Sequence, residues 1–268
     1  MAGKTTQETF ELLDKALAHV HSVDYKVSVR WVAYRLLQDG TFKSKKEFSK
    51  LGNLNKYRKR FFRGWAPDTF IDDTRNIIYR GTGCFDKEEW IENLTCDLDK
   101  IQNQDYFLMI MFEAKAMSGQ FKKYTENIPL IPSGGDASIS FKYAISKDIE
   151  WASKRYGKPI VILYFGDCDK KGEQIPQSAL KDIRNWCSVN FKFIHCGLTE
   201  EQALKFKLPE NPDKLGDYQW EALSDEQARE IIEKNVKKYQ KKSRFKEIEE
   251  KEKKILEGIK LNLKEKKK

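Results

Sequence analysis

An unbroken apolar run followed by two alternating aspartates constrains this chain more than any other stretch. Residues 160–165 read Ile-Val-Ile-Leu-Tyr-Phe, and Gly166, Asp167, Cys168 and Asp169 follow directly. An apolar, β-branched run of this length predicts a strand that is buried on both faces, as in a parallel sheet. Because alternate residues of an extended chain point the same way, both carboxylates should leave the end of this strand on one side.

Open α/β sheets bind their ligands at the carboxyl ends of the strands. Two carboxylates held this close repel each other unless a cation lies between them. Hard oxygen ligands of this kind suit Mg²⁺, which commonly serves phosphate chemistry. Asp and Gly are also ordinary turn residues, so the Asp-x-Asp pattern alone leaves a plain turn as an alternative to a magnesium site.

A third carboxylate ends another predicted strand. Residues 106–112 form a second buried-type run, and Glu113 stands at its end. Further patterns alternate along the chain: a glycine turn at 132–138, helices at 139–156 and 176–187, and a strand at 191–194. This alternation predicts a parallel sheet. Strand ends meet at one edge of such a sheet, so we expect Glu113, Asp167 and Asp169 to converge there and hold Mg²⁺.

The composition is that of a folded chain with an excess of positive charge. Aromatic residues make up 12% of 268 residues, which argues against disorder. No apolar run reaches membrane-spanning length, the N-terminus lacks a signal-peptide pattern, and the five scattered cysteines lack zinc-ligand spacing. We therefore expect a reduced cytoplasmic protein without membrane contact. The net charge is +9, but residues 241–268 hold twelve Lys or Arg and only six Asp or Glu, so nucleic-acid binding by the body requires a local basic cluster.

Two amphipathic helices are predicted near the N-terminus, at 7–21 and 27–38. On the second helix Arg30 and Tyr34 lie one turn apart, on a face other than the apolar stripe. Tyr34 has two interpretations. It is a partly buried tyrosine whose hydroxyl makes one hydrogen bond, or a nucleophile for a phosphodiester, because the neighbouring guanidinium stabilises charge on both phenolate and phosphate.

A third helix is predicted from about 45 to 62, and basic and aromatic residues alternate toward its end. Three helices followed by short strands around 69–79 have the order of a winged helix, whose third helix enters the major groove of DNA. A solvated basic face is the alternative, but the density of cations favours phosphate contacts. The side chains expected to contact DNA are Lys56, Arg58, Lys59, Arg60 and Arg63.

These patterns divide the chain into three parts. We predict an α/β protein with a winged-helix DNA-binding domain at 1–82, a mainly parallel-sheet domain at 83–240 and a Lys/Glu-rich helical tail at 241–268, with a linker near 80–86. A helix is predicted at 86–103 with Asp86 as its cap, and capping boxes at 199–202 and 224–227 begin two more. The tail predicts one long charged helix that pairs with a partner, lies on DNA or frays in solvent.

With these residues in place, the second domain resembles a Toprim domain, which carries a Glu after its first strand and Asp-x-Asp after a later one. Glu113, Asp167 and Asp169 match those positions. Residues 28–37 resemble the tyrosine-bearing winged helix of topoisomerase VI A subunits and the related meiotic double-strand-break protein. Tyr34 falls on the position of the attacking tyrosine. Residues 72–75 resemble the wing segment of that family, which adds Arg75 to the expected DNA contacts.

The resemblance runs in order through residues 7–240, and the segments at 197–202, 208–212 and 218–223 are similar to compact stand-alone versions found in bacteria, archaea and mobile elements. It implies Mg²⁺-dependent cleavage of double-stranded DNA in which Tyr34 attacks a phosphate, Arg30 assists, and Glu113, Asp167 and Asp169 hold the ion. It also implies a nucleoid-associated location and a homodimer, because the family joins the tyrosine of one protomer to the metal of the other. A separate ATPase subunit would fit the same family.

Three positions depart from the family pattern: Ala33 stands where a first Tyr is usual, Lys115 lies one position late, and Lys170 replaces a common Pro. The chain carries no ATPase segment, so strand passage by this chain alone is not expected. Two alternatives stay open. One is a Toprim nuclease, in which metal-bound water cleaves DNA and Tyr34 only packs or contacts phosphate. The other is a DNA-binding protein without chemistry.

Overall fold

The structure, a computed structural model, describes residues 7–70, 84, 86–113, 117–134, 137–211 and 214–265. Most of the strands predicted around 69–79 and of the linker predicted near 80–86 lie outside these residues, and Arg75 and Lys115 lie outside them as well. The described residues form a mixed α/β protein around one parallel sheet, so the predicted α/β class is confirmed.

Four parallel strands make up this sheet, in the order β2-β1-β3-β4. Their bounds are β1 Phe107–Phe112, β2 Leu130–Pro132, β3 Ile160–Phe165 and β4 Phe191–His195. The two central strands, β1 and β3, are buried along their whole length, as their unbroken apolar runs predict. Strand β2 was not predicted, because three residues ending in a proline give no strand pattern.

Helices cover both faces of the sheet. On one face pack α5 (Ser118–Tyr124), α8 (Glu200–Lys205) and α9 (Asp225–Val236), and on the other pack α6 (Ile139–Tyr156) and α7 (Lys170–Trp186). Helices α8 and α9 begin with the two predicted capping boxes. Helix α6 has its predicted bounds, whereas α7 begins already at Lys170, because the side chain of Asp169 caps it.

The N-terminal part confirms two of its three predicted helices, α1 (Gln7–His21) and α2 (Val29–Gln38). The continuous helix expected from about 45 to 62 is wrong. The chain forms a 3₁₀ helix at Lys45–Asn53, a short α3 at Leu54–Arg58 and a further 3₁₀ turn at Phe62–Gly64. Phe61 and Arg63 adopt left-handed backbone angles, with φ of 49° and 51°, which end any α-helix. The described residues therefore do not establish a winged helix.

The helix predicted at 86–103 is also shorter than expected. Helix α4 (Lys87–Glu92) starts at the predicted cap, where the Asp86 side chain accepts a hydrogen bond from the backbone N–H of Glu89. It ends at Asn93, one of the residue types that compete poorly for a helix interior.

The tail forms the predicted long helix, α10 (Lys242–Glu265). Its first half packs on the body, where Phe245 and Ile248 are buried and Glu252 pairs with Lys100. This helix therefore does not fray at its start. Among the described residues, no helix is both long enough and apolar enough to span a membrane.

The N-terminal part packs on the sheet domain around residues 219–225. The buried guanidinium of Arg35 donates to the backbone carbonyls of Glu221 and Leu223. At Gly119 on α5, an added Cβ would lie 2.7 Å from the ring of Tyr25, so only glycine permits this close approach. The two parts thus form one packed body through contacts of long sequence separation.

Candidate metal centre

The ends of the two central strands bring two of the predicted carboxylates together. Phe112 of β1 pairs in register with Phe165 of β3, so Glu113 and Gly166 follow at the same edge. The backbone N–H of Glu113 donates to the carbonyl of Phe165 at 3.0 Å. The backbone N–H of Asp167 donates in turn to Glu113 Oε2 at 3.3 Å. Residues 54 positions apart along the chain therefore meet at one edge of the sheet, as expected.

Asp169 lies on the same loop but its side chain points to the start of α7. Its Oδ1 accepts from the backbone N–H of Gly172 at 2.6 Å, which satisfies one of the unpaired amides of the first helical turn. Gly172 is needed there, because an added Cβ would lie 2.2 Å from the carbonyl oxygen of Asp167. The loop that carries both aspartates is thus packed directly on the first turn of α7.

A distant segment adds a fourth carboxylate. Tyr218 forms an isolated antiparallel bridge with Cys168, and the backbone N–H of Trp220 donates to Asp167 Oδ1 at 2.8 Å. The next residue, Glu221, is almost fully buried, with 2% of its side chain exposed. Its Oε2 is buried without a hydrogen-bond partner among the described residues. The segment after the bridge therefore places a buried acid beside the aspartate loop.

Burial and mutual repulsion dominate the electrostatics of this centre. Burial raises the pKa of Asp167 well above its usual value, and the charges of Glu221, Glu113 and Asp169 raise it further, against the hydrogen bond from Trp220. The pKa of Glu113 is also raised, by burial first and then by Asp169 and Glu221. These carboxylates thus share a region in which negative charge is insufficiently neutralised.

A buried hydroxyl lies beneath them. Tyr164 of β3 is fully buried, and its Oη interacts with the Glu113 carboxylate without completing a well-aligned hydrogen bond among the described residues. Burial raises the pKa of Tyr164, and the charges of Glu113, Asp167 and Asp169 raise it further. This hydroxyl therefore stays protonated and keeps a donor at the base of the centre.

Arg30 and Tyr34 of α2 reach the same region. The Nε of Arg30 donates to Glu221 Oε1 at 3.0 Å, and its guanidinium lies 5.6 Å from the centre of the Tyr34 ring. The Tyr34 hydroxyl donates to Gln219 Oε1, which also accepts from Lys45 Nζ at 2.8 Å. The two residues share one helix face as predicted, and that face is turned toward the carboxylates.

The state of Tyr34 bears on its proposed chemistry. The residue is 3% exposed, so the prediction that it is partly buried understates its burial. Burial raises the pKa of its hydroxyl, the charges of Glu221 and Asp167 raise it further, and Arg30 acts in the opposite direction. In this arrangement the protonated phenol is therefore favoured over the phenolate.

The predicted DNA-contacting residues divide into two groups. Arg58 donates to the carbonyls of Ala66 and Pro67 and lies 5.0 Å from the centre of the Phe70 ring, so it supports the local fold. Arg63 pairs with Asp14. Arg63 is exposed despite this ion pair, and Lys56, Lys59 and Arg60 are exposed too, as is the ring of Phe61.

Sequence patterns did not point to Glu221, Gln219 or Tyr164 as site residues. The first two lie in the segment 218–223, whose resemblance to compact family members was their only signal. Tyr164 has the pattern of an ordinary strand residue. Their roles depend on packing between segments up to 191 positions apart, as for Arg30 and Glu221, and no local pattern carries that information.

The donor chemistry fits a divalent cation, although the ligands are not in coordinating positions. Within the described ranges, no three His, Cys, Asp or Glu side chains are arranged to hold an ion. One oxygen each of Glu113, Asp167 and Asp169 accepts a backbone N–H instead. The repelling carboxylates and the unpartnered oxygen of Glu221 are nevertheless the hard donors that Mg²⁺ prefers.

Comparison of this chain with protein-family models, curated proteins and solved structures gives no match. The fold and the site together define an α/β protein with an acidic centre at the carboxyl edge of a parallel sheet. The assignment of function therefore depends on the chemistry of that centre.

Proposed function

We propose that this chain is a Mg²⁺-dependent DNA-cleaving protein in which Tyr34 is the nucleophile. One observation carries the proposal: a phenol, a guanidinium and several carboxylates from distant parts of one chain meet at the carboxyl edge of the sheet. A phosphodiester is the substrate class that needs all three kinds of group.

Each residue has a distinct role in this reaction. Tyr34 Oη forms a bond to phosphorus, the bond from phosphorus to the departing sugar oxygen breaks, and the phenolic proton passes through water to that oxygen, which leaves as a hydroxyl. Arg30 stabilises negative charge on the phenolate and the phosphate. Glu113, Asp167 and Asp169 would hold Mg²⁺, which supplies positive charge to the phosphate and the leaving oxygen when bound. One phosphodiester replaces another, so no external energy source is needed for the cut.

Hydrolysis at the same carboxylates is the second candidate, and the burial of Tyr34 favours it. The hydroxyl is nearly inaccessible, bonds to Gln219 and has a raised pKa. In this candidate a water molecule attacks the phosphate, and Tyr34 only orders the segment at 219–221. The same residues bind DNA in both candidates.

Double-stranded DNA is the proposed partner, and the exposed cations at Lys56, Lys59 and Arg60 support it. The homodimer and the separate ATPase subunit stay predictions from the family resemblance. In this structure Tyr34 approaches carboxylates of its own chain, so the arrangement does not require the tyrosine of a second copy.

The test is incubation with supercoiled DNA and Mg²⁺, followed by denaturant with and without protease. We expect cut DNA that migrates freely only after proteolysis, because the protein stays linked through Tyr34. Both Tyr34→Phe and Asp167→Asn should abolish the linked product. Freely migrating cuts that survive in Tyr34→Phe but not in Asp167→Asn would establish hydrolysis. Cutting by both variants, or none by the wild type at any Mg²⁺ concentration, would overturn the proposal.

A further inference from the structure

The hydrogen bonds of Glu221 do not account for the burial of its carboxylate. Its side chain is 2% exposed, and one carboxylate oxygen accepts from Arg30 while the other is buried without a partner among the described residues. A buried carboxylate with an unpaired oxygen is costly. A bound cation, a shared proton or an ordered water can satisfy such an oxygen.

Glu221 itself lies beside the aspartate loop. The residue before it, Trp220, donates its backbone N–H to Asp167 Oδ1 at 2.8 Å, which fixes Glu221 beside that carboxylate. The charge of Glu221 also acts on Glu113 across the same space. A bound cation would relieve the repulsion among these groups and pair with the free oxygen, and a shared proton, which the raised pKa of Asp167 favours, is the alternative.

Arg30 lies where an arriving phosphate can reach it. Its side chain is 57% exposed although its partner is buried, so the guanidinium sits at the opening of the centre. Guanidinium groups bind phosphate through the same paired donors that they offer to a carboxylate. An arriving phosphate therefore competes directly with Glu221 for Arg30.

We propose that Glu221 is a fourth carboxylate ligand of the metal centre, which Arg30 neutralises until the phosphate of the substrate draws Arg30 away. This inference rests on the proposed function and extends it. With Arg30 on the phosphate, the freed charge of Glu221 strengthens cation binding, so the centre holds its ion most tightly when substrate is present. The order of events couples metal affinity to DNA binding.

The test is a double-mutant cycle on cation affinity, measured by titration of Mn²⁺ into the full chain without DNA. Glu221→Gln keeps an acceptor for Arg30 but removes the charge, and we expect it to weaken Mn²⁺ binding about tenfold or more. Arg30→Ala imitates the departure of the guanidinium and should tighten binding severalfold. In Glu221→Gln, adding Arg30→Ala should have little effect. Lys45→Ala removes another cation from the same region and is the matched control for charge alone.

The outcomes separate this inference from the proposed function. No Mn²⁺ binding by the wild type, or binding that Asp167→Asn leaves unchanged, overturns both. Binding that depends on Asp167 but is unaffected by Glu221→Gln overturns the role of Glu221 alone. The role of Glu221 is also overturned if Arg30→Ala and Lys45→Ala tighten Mn²⁺ binding equally. The same holds if Arg30→Ala tightens it equally in the wild type and in Glu221→Gln. If Glu221→Gln does not fold, the Mn²⁺ affinities of Arg30→Ala and Lys45→Ala are compared instead. The inference is wrong if Arg30→Ala does not tighten Mn²⁺ binding more than Lys45→Ala does.

Discussion

Gly172 is the residue on which the geometry of the aspartate loop depends most directly. It occupies the first turn of α7, donates its N–H to Asp169 and leaves no room for a side chain beside the carbonyl of Asp167. A single added methyl group would have to displace backbone, which is far less adaptable than a flexible side chain.

We predict that Gly172→Ala lowers the free energy of unfolding by about 1–3 kcal/mol, because overpacking forces backbone shifts, and that it also weakens Mn²⁺ binding. Thermal denaturation and Mn²⁺ titration measure the two effects. Gly258→Ala is the matched control, since this helical glycine of α10 has open space at its Cβ position. That change should stabilise the protein by about 0.5–1 kcal/mol. Equal behaviour of the two variants would contradict the close packing at Gly172.

Some residues of the centre could be predicted from sequence and others could not. Glu113 and Asp167 follow apolar runs, and the geometry of parallel strands brings such strand ends together without further information. Glu221 lies in a 3₁₀ turn at Trp220–Ala222 with no periodic pattern. Its place beside Asp167 depends on how two segments pack, which strand and helix signals do not encode.

At the scale of elements, the segment from 45 to 64 shows where local pattern fails. Apolar residues recur there at spacings that suit a helix. Gly52 interrupts this pattern, because glycine is unfavourable in a helix interior. The left-handed backbone of Phe61 and Arg63 then turns the chain so that Trp65 enters the N-terminal core. Elements with caps or long apolar runs, such as α6 and β3, were predictable because their signals are local.

The DNA-binding surface that we propose lies on this broken segment and is smaller than the one predicted from the sequence. We predict that replacing both Lys59 and Arg60 by Ala weakens binding to a DNA duplex and reduces the slope of log affinity against log salt by about 2, because each phosphate contact releases counterions. Stability should change little, since both side chains are exposed. Fluorescence anisotropy over a range of salt concentrations measures the slope.

Arg58→Ala is the informative contrast within the same segment. Its guanidinium holds the carbonyls of Ala66 and Pro67, so its loss should lower the melting temperature and leave the salt slope nearly unchanged. If Arg58→Ala changed the salt slope as much as the double variant, the division into structural and DNA-facing cations would be wrong.

At the scale of the whole molecule, the carboxylates meet a guanidinium and a phenol only because two parts of the chain are packed together. The sheet supplies Glu113 and Asp167, whereas the N-terminal part supplies Arg30 and Tyr34. The hydroxyls of Tyr25 and Tyr124, one from each part, both donate to Asp225 and fasten the same boundary. The proposed function therefore requires that the two parts stay docked.

Arg35 is a buried residue at the contact between the two parts, and its guanidinium donates hydrogen bonds to two backbone carbonyls of the sheet domain. We predict that Arg35→Leu lowers the free energy of unfolding by about 2–4 kcal/mol, because it leaves buried acceptors unpaired. Hydrogen exchange followed by mass spectrometry should then show faster amide exchange in residues 7–70 than in the central strands. In the wild type we expect similar amide protection in both parts. Arg155→Leu, at an exposed position of α6, is the control and should change neither. Equal loss of protection in both parts of Arg35→Leu would mean that the two parts unfold as one unit, and it would contradict a separate undocking of residues 7–70.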